Sequence, residues 1–276
     1  MFKNKMTLLI IMKQKFNAYW AGYLYSPDFT LNKCPDYIDT IIIAFIGPDS
    51  NHQVETTFLC KIFKEKQILS WIQELKRKGK TILFSLLDTP QNHWNKVDFN
   101  IFGKSLKEFV NKWNIDGFDI DAETGETTNQ VESFVNLINC VKKVIGSKGI
   151  ISYTCYEGKY SFDSQVFKKV KSKINYVQTM AYFDDLEGMK NLYNYYKEFF
   201  GDNIFIGVKA GLQQDSGTSL NEVYQICKWN ENKKGVMLWT FNRDNFAFTH
   251  KKNLSWCEMI NNNLIDNPSN YYCSIC

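Results

Sequence analysis

Histidine is scarce in this chain. It occurs at positions 52, 93 and 250, and no two copies stand within the few residues at which metal-binding pairs recur. Of the eight cysteines (34, 60, 140, 155, 227, 257, 273 and 276), only Cys273 and Cys276 have ligand-like spacing, and no histidine is near them. The sequence therefore asks for no metal, and its cysteines read as free thiols or, for the last pair, as a disulfide. It carries no cofactor-binding motif. Five prolines and 15 glycines leave no Pro/Gly-rich linker, and neither a low-complexity tract nor an internal repeat divides the 276 residues. Long apolar runs are missing too. The run Met6 to Met12 spans seven residues, against ~20 needed to cross a bilayer, so stable membrane insertion is not expected. Lys13 and Lys15 follow that run with no small-residue cleavage site, so it does not read as a cleavable signal peptide. That leaves the compartment open, with extracellular or lumenal action allowed. A strong charge of one sign is also lacking: the net charge is +4, and the densest basic run, Lys76 to Lys80, falls at an expected helix end, where cations complement the helix dipole. With no aromatic-interleaved basic stripe, nucleic acid is not an expected partner.

Aromatic residues are plentiful. Twenty-one Phe, 15 Tyr and 7 Trp, within an apolar content of 44%, fill a sizeable core and leave rings over for a binding surface. Apolar runs alternate with stretches of helical periodicity. The expected strands are residues 17–25, 38–46, 81–87, 117–123, 150–155, 176–182, 204–209 and 235–241. Between them, Ile68, Ile72 and Leu75 share one helical face before Gly79, and Val131 to Ile145 repeat the pattern before Gly146. Met189 to Phe200 do so before Gly201, and Ser219-Leu-Asn-Glu222 forms a capping box. Eight strands alternating with helices predict an α/β fold of the (β/α)8 TIM-barrel type, since closure removes both sheet edges; a doubly wound open sheet is the alternative. The expected organisation is an N-terminal extension at 1–15, one barrel at 16–265 and a tail at 266–276. Residues 210–234 hold a single helix, so no α+β insertion domain is expected there. A single chain is the expected functional unit.

Asp116 to Glu123 read D-G-F-D-I-D-A-E. On a strand, Asp119, Asp121 and Glu123 project to one side at steps of ~6.7 Å, with Phe118, Ile120 and Ala122 on the other. Buried carboxyls are costly unless paired or protonated, so three in file point to acid chemistry at the C-terminal mouth of a barrel. Asp116, at odd spacing, reads as structural, and Gly117 as a point of close strand approach. Asp119 and Asp121 are expected to share a proton, leaving Glu123, as last residue of its strand, protonated to act as a general acid. Every carboxylate stands on one side of the site, whereas an ordinary retaining glycosidase sets a second one across the bond as nucleophile.

The D-G-x-D-x-D-x-E segment resembles the signature of the family 18 glycoside hydrolases, the chitinases and endo-β-N-acetylglucosaminidases. Tyr176-Val-Gln-Thr-Met-Ala-Tyr182 is similar to that family's M-x-Y segment, and Gly235-Val-Met-Leu-Trp239 to its G-V-M-x-W ending. The resemblance implies retaining catalysis in which the substrate's own 2-acetamido group is the nucleophile. It casts Glu123 as acid and then base, Asp121 as the group orienting the acetamido N–H, Asp119 as its support, and Tyr182 as donor to the acetamido oxygen. Trp239 becomes the floor under the sugar, with Met180 beside it. Phe183 stands where the family often has Asp, and Ser85-Leu-Leu-Asp88 where it often has S-x-G-G. Trp20, Tyr23, Tyr25, Trp94, Tyr156 and Tyr160 follow strand segments, and of these Tyr23 and Trp94, with Phe183, are expected to contact sugar. The implied partner is chitin or a GlcNAc-containing oligosaccharide and the implied activity that of an endo-acting chitinase. The alternatives are an endo-β-N-acetylglucosaminidase on N-glycan cores and a non-catalytic, lectin-like barrel.

Overall fold

The computed structural model describes residues 10–88, 92–123, 130–156 and 161–269. Eight parallel strands run through it: β1 (Lys15–Ala21), β2 (Thr40–Pro48), β3 (Thr81–Leu86), β4 (Gly117–Asp121), β5 (Ile150–Cys155), β6 (Tyr176–Thr179), β7 (Ile204–Lys209) and β8 (Gly235–Trp239). Each pairs with the next in chain order, and β8 pairs with β1, which closes the sheet into a barrel and rules out the open-sheet alternative. A two-residue strand, Val54–Glu55, folds back antiparallel on the end of β2. Ile10–Lys13 pairs antiparallel with Asp266–Ser269. The run Met6 to Met12 lies partly outside the described residues, and Tyr160, Cys273 and Cys276 lie wholly outside them. The other six cysteines are free thiols.

The helices take the places the periodicity predicts. The principal ones are α1 (Glu65–Arg77), α2 (Phe99–Trp113), α3 (Val131–Ile145), α4 (Ser161–Val170), α5 (Leu186–Phe200) and α6 (Leu220–Lys228), followed after β8 by α7 (Phe246–Thr249) and α8 (Ser255–Asn263). Ile68, Ile72 and Leu75 bury one face of α1, and Gly79 follows its last turn at φ 78°, a conformation a side chain would resist. The Ser219 side chain accepts from Glu222 N at 3.2 Å while Glu222 accepts from Ser219 N at 2.8 Å, closing the capping box of α6. Residues 210–234 hold only a short turn (Gln213–Asp215) and α6, so nothing is inserted between β7 and β8. Among the described residues, no helix is long and apolar enough to cross a membrane.

Strand alternation divides the side chains into two layers. Phe118, Ile120 and Ala122 face outward into the core between barrel and helices, whereas Tyr19, Ile42, Leu83, Phe205 and Met237 fill the barrel interior. Interior volume is shared with a polar layer at Asn17, Ser85, Asp119, Ser152, Thr154 and Gln178, all buried. Trp20 and Trp94 belong to the outer core and are fully buried, so the Trp94 ring is not offered to a ligand as the sequence reading expected, and Trp20 is equally enclosed. The reason at Trp20 is parity: Tyr19 next to it points inward, so Trp20 must point out.

Candidate active site

Register builds the floor of the site. Asp119 on β4 stands level with Ser85 on β3 and Ser152 on β5. In a parallel pair, level residues share a face, so both hydroxyls meet the carboxylate. Ser85 donates to Asp119 Oδ2 at 2.7 Å and Ser152 to Oδ1 at 2.6 Å. Tyr19 Oη adds a bond to Oδ2 at 2.7 Å, and Thr154 Oγ1 and Gln178 Nε2 donate to Oδ1 at 2.8 and 3.4 Å. Five donors from four other strands thus hold one fully buried carboxyl group. Close approach of β4 to β5 is set by Gly117, where a Cβ would fall 1.9 Å from Ile150 O. Asp116 faces away, as expected, bonding Lys76 and accepting from Ile82 N at 2.8 Å.

One step up, Asp121 is 4% exposed and, among the described residues, accepts a single hydrogen bond, from Glu123 N at 3.1 Å. Burial pushes its pKa well above the ordinary carboxyl value, and the Glu123 charge adds to this ahead of the Asp119 charge. Hydroxyl and amide donors occupy Asp119, and of the two carboxylates that act on Asp121, Glu123 acts more strongly than Asp119. Burial also raises the pKa of Glu123, opposed by the positive charge of Lys209. β4 ends at Asp121, so Glu123 stands in the turn after the strand, not at its last position. Similarly β6 ends at Thr179, and Tyr182 and Phe183 lie in a 3-10 turn, Ala181–Phe183.

A cavity of ≈ 360 Å³ opens above this floor, lined by Asp121, Glu123, Met180, Tyr182, Phe183, Trp239 and Tyr23, together with Tyr19, Phe45, Phe58, Leu87, Thr154, Lys209 and Met237. All the expected site residues except Asp119 beneath the cavity and Trp94 line it. Trp94 instead packs edge-on against Phe102, with ring centroids 5.5 Å apart, while its backbone N–H donates to Asp88 at 2.9 Å. Two aromatic walls rise from the cavity. Trp239 stacks on Phe45 (5.6 Å), Phe45 on Tyr23 (6.2 Å) and Tyr23 against Phe58 (4.4 Å). In a second group, Tyr182 meets Phe183 (4.8 Å) and Phe183 meets Tyr156 (5.5 Å). Tyr25 is 68% exposed and is not among the lining residues.

Sequence reading misses Tyr19, Phe45, Phe58 and Lys209. Tyr19 and Lys209 carry a usable signal, inward parity on β1 and the last position of β7, while Phe45 is hidden in the unbroken apolar run of β2. Asp184 and Asp185, which follow Phe183, are not among the lining residues, and Asp185 caps α5, accepting from Gly188 N at 2.9 Å.

Residues 20–237 match the family model of the endo-β-N-acetylglucosaminidase EndoS TIM-barrel domain. Among solved structures, the chain is similar to a GH18 chitinase from Pseudoalteromonas aurantia at 18% identity and TM-score 0.71, over 91% of this chain and 100% of that one. A chitinase from Bacteroides thetaiotaomicron superposes at TM-score 0.73 and 13% identity, over 94% and 99% of the two chains. Catalytic domain 2 of the Ostrinia furnacalis Group II chitinase, solved in complex with penta-N-acetylchitooctaose, gives TM-score 0.71 and 13% identity over 94% and 99%. At these identities the three structures establish a shared fold.

Proposed function

The chain belongs to glycoside hydrolase family 18, the family of chitinases and endo-β-N-acetylglucosaminidases, and from that premise we propose that it hydrolyses the β-1,4 bond between two N-acetylglucosamine units with retention of configuration. The observation that carries this reading is the stack of Asp119, Asp121 and Glu123, with a satisfied carboxyl at the bottom, a buried one of raised pKa in the middle and an acid in the cavity at the top. Glu123 gives its proton to the leaving oxygen and later takes one from the attacking water. Asp121 faces the acetamido group, whose oxygen attacks the anomeric carbon. Tyr182, its phenol kept protonated by burial, donates to that oxygen. With the nucleophile on the substrate, no second carboxylate across the bond is needed.

Chito-oligosaccharide is the first substrate reading. Two aromatic walls leading away from the cavity support binding of sugar on either side of the bond, because rings stack on pyranose faces. A second reading, cleavage of the chitobiose core of N-glycans, is favoured by the family model that matches residues 20–237. Parallel incubation with chitohexaose and with a high-mannose glycoprotein, followed by product masses, separates them. Shorter chito-oligomers are expected. Release of glycan leaving one GlcNAc on asparagine, with chitohexaose intact, selects the second reading. Binding without any product selects the lectin-like alternative.

A further inference from the structure

Two cations stand by the cavity, and they are held differently. Arg243, after β8, is anchored: its Nε donates to Ala210 O at 3.3 Å and its guanidinium lies 5.0 Å from the centroid of the Phe248 ring. Lys209, at the end of β7, lines the cavity that Glu123 also lines. Its Nζ lies 5.9 Å from the Tyr182 ring centroid and 6.0 Å from that of Phe183, and among the described residues the ammonium itself makes no hydrogen bond and no ion pair. A half-buried ammonium without a fixed anion is unfavourable, and burial lowers its pKa. A neutral oligosaccharide gives no reason to keep such a charge there. The acid does.

We propose that Lys209 is a positioning residue for Glu123, its charge orienting the Glu123 side chain toward the β7 wall and stabilising the carboxylate formed once the proton has gone to the leaving oxygen. The inference rests on the hydrolase reading only for its consequence in turnover. In the first step the proton passes from Glu123 to the glycosidic oxygen, and in the second a proton from water returns to Glu123; Lys209 gives up none. Other charged and titratable groups act on the pair. Asp215, in the turn after β7, and Arg243 oppose each other at Lys209. Asp121 on β4 couples to Glu123, as do Tyr23 after β1 and Tyr182 after β6. Asp88, after β3, acts on Asp121. Of these, Lys209 is the cation that lines the cavity together with the acid.

The test needs no turnover. Protein carrying ¹³C at the glutamate side-chain carboxyls is titrated by NMR, the Glu123 signal being the one lost in Glu123→Gln. Lys209→Met is expected to move the Glu123 midpoint upward, since a nearby positive charge favours the ionised carboxyl. Lys209→Arg is expected to leave it near wild type. The alkaline limb of kcat/KM should move with the midpoint, which a merely structural role would not cause. An unchanged midpoint in folded Lys209→Met overturns the proposal, and Lys209→Gln serves in its place if the Met variant does not fold. Absence of cleavage by the wild type would overturn the hydrolase reading while leaving the titration result standing.

Discussion

Asp119 and Asp121 are the same residue type two positions apart, and their surroundings divide their work. Asp119 accepts from Tyr19, Ser85, Ser152, Thr154 and Gln178, which fix its orientation. Removing one donor leaves a buried acceptor short, so Ser152→Ala should cost about 1–3 kcal/mol in urea unfolding; no loss would mean that the network is slack. Asp121 has one donor, and its folded pKa lies well above the ordinary 3.8. The native state therefore holds a proton that the unfolded chain has released, and the stability this contributes is full below pH 3.8 and is lost as pH rises through the folded value. Asp121→Asn imitates the protonated form and cannot ionise. Its melting temperature should exceed wild type at pH 8 and approach it at pH 4, with turnover sharply reduced; a variant less stable at pH 8 would contradict the assignment. In the proposed mechanism Glu123 acts in its protonated form, so the alkaline limb of the rate profile should fall above its ordinary value of 4.5, a direction set by burial.

Strand β4 delivers this stack because its neighbours come close enough and in register. Gly117→Ala would drive a methyl into Ile150 O, 1.9 Å from the ideal Cβ, so β4 or β5 must move. Both stability and activity should fall, and normal melting with normal turnover would show that the spacing is not set there. Ser219→Ala removes the cap of α6 and should cost about 0.5–2 kcal/mol in urea unfolding. Element order was legible in sequence because periodicity reports it directly: β5 and β7 begin and end where apolar runs do, at Ile150–Cys155 and Ile204–Lys209. Chemistry blurs the ends of β4 and β6, since Glu123 and Tyr182 occupy the turns that follow. The aromatic residues were legible only in part. Tyr23 and Trp239 line the cavity as expected, but Trp94, after β3, packs into the outer core, because composition says nothing of which way a loop ring turns.

At the scale of the whole molecule, nothing is inserted between β7 and β8, so the cleft is open on that side, and the cavity-lining rings of Phe58 (47%) and Phe183 (51%) are exposed. An open cleft suits internal cleavage, so chitohexaose should yield products of several lengths from the first time points; steady release of one product from one end would contradict that. Because the proposed nucleophile belongs to the substrate, fully deacetylated chitosan should remain uncut. The most direct test of the central claim is the rate of reducing-end release from chitohexaose by wild type and by Glu123→Gln, which keeps the shape of the acid and removes its proton. Loss of a general acid lowers rates by ~10² to 10⁴, and a fall in that range is the predicted result. Near-normal release by Glu123→Gln would contradict it.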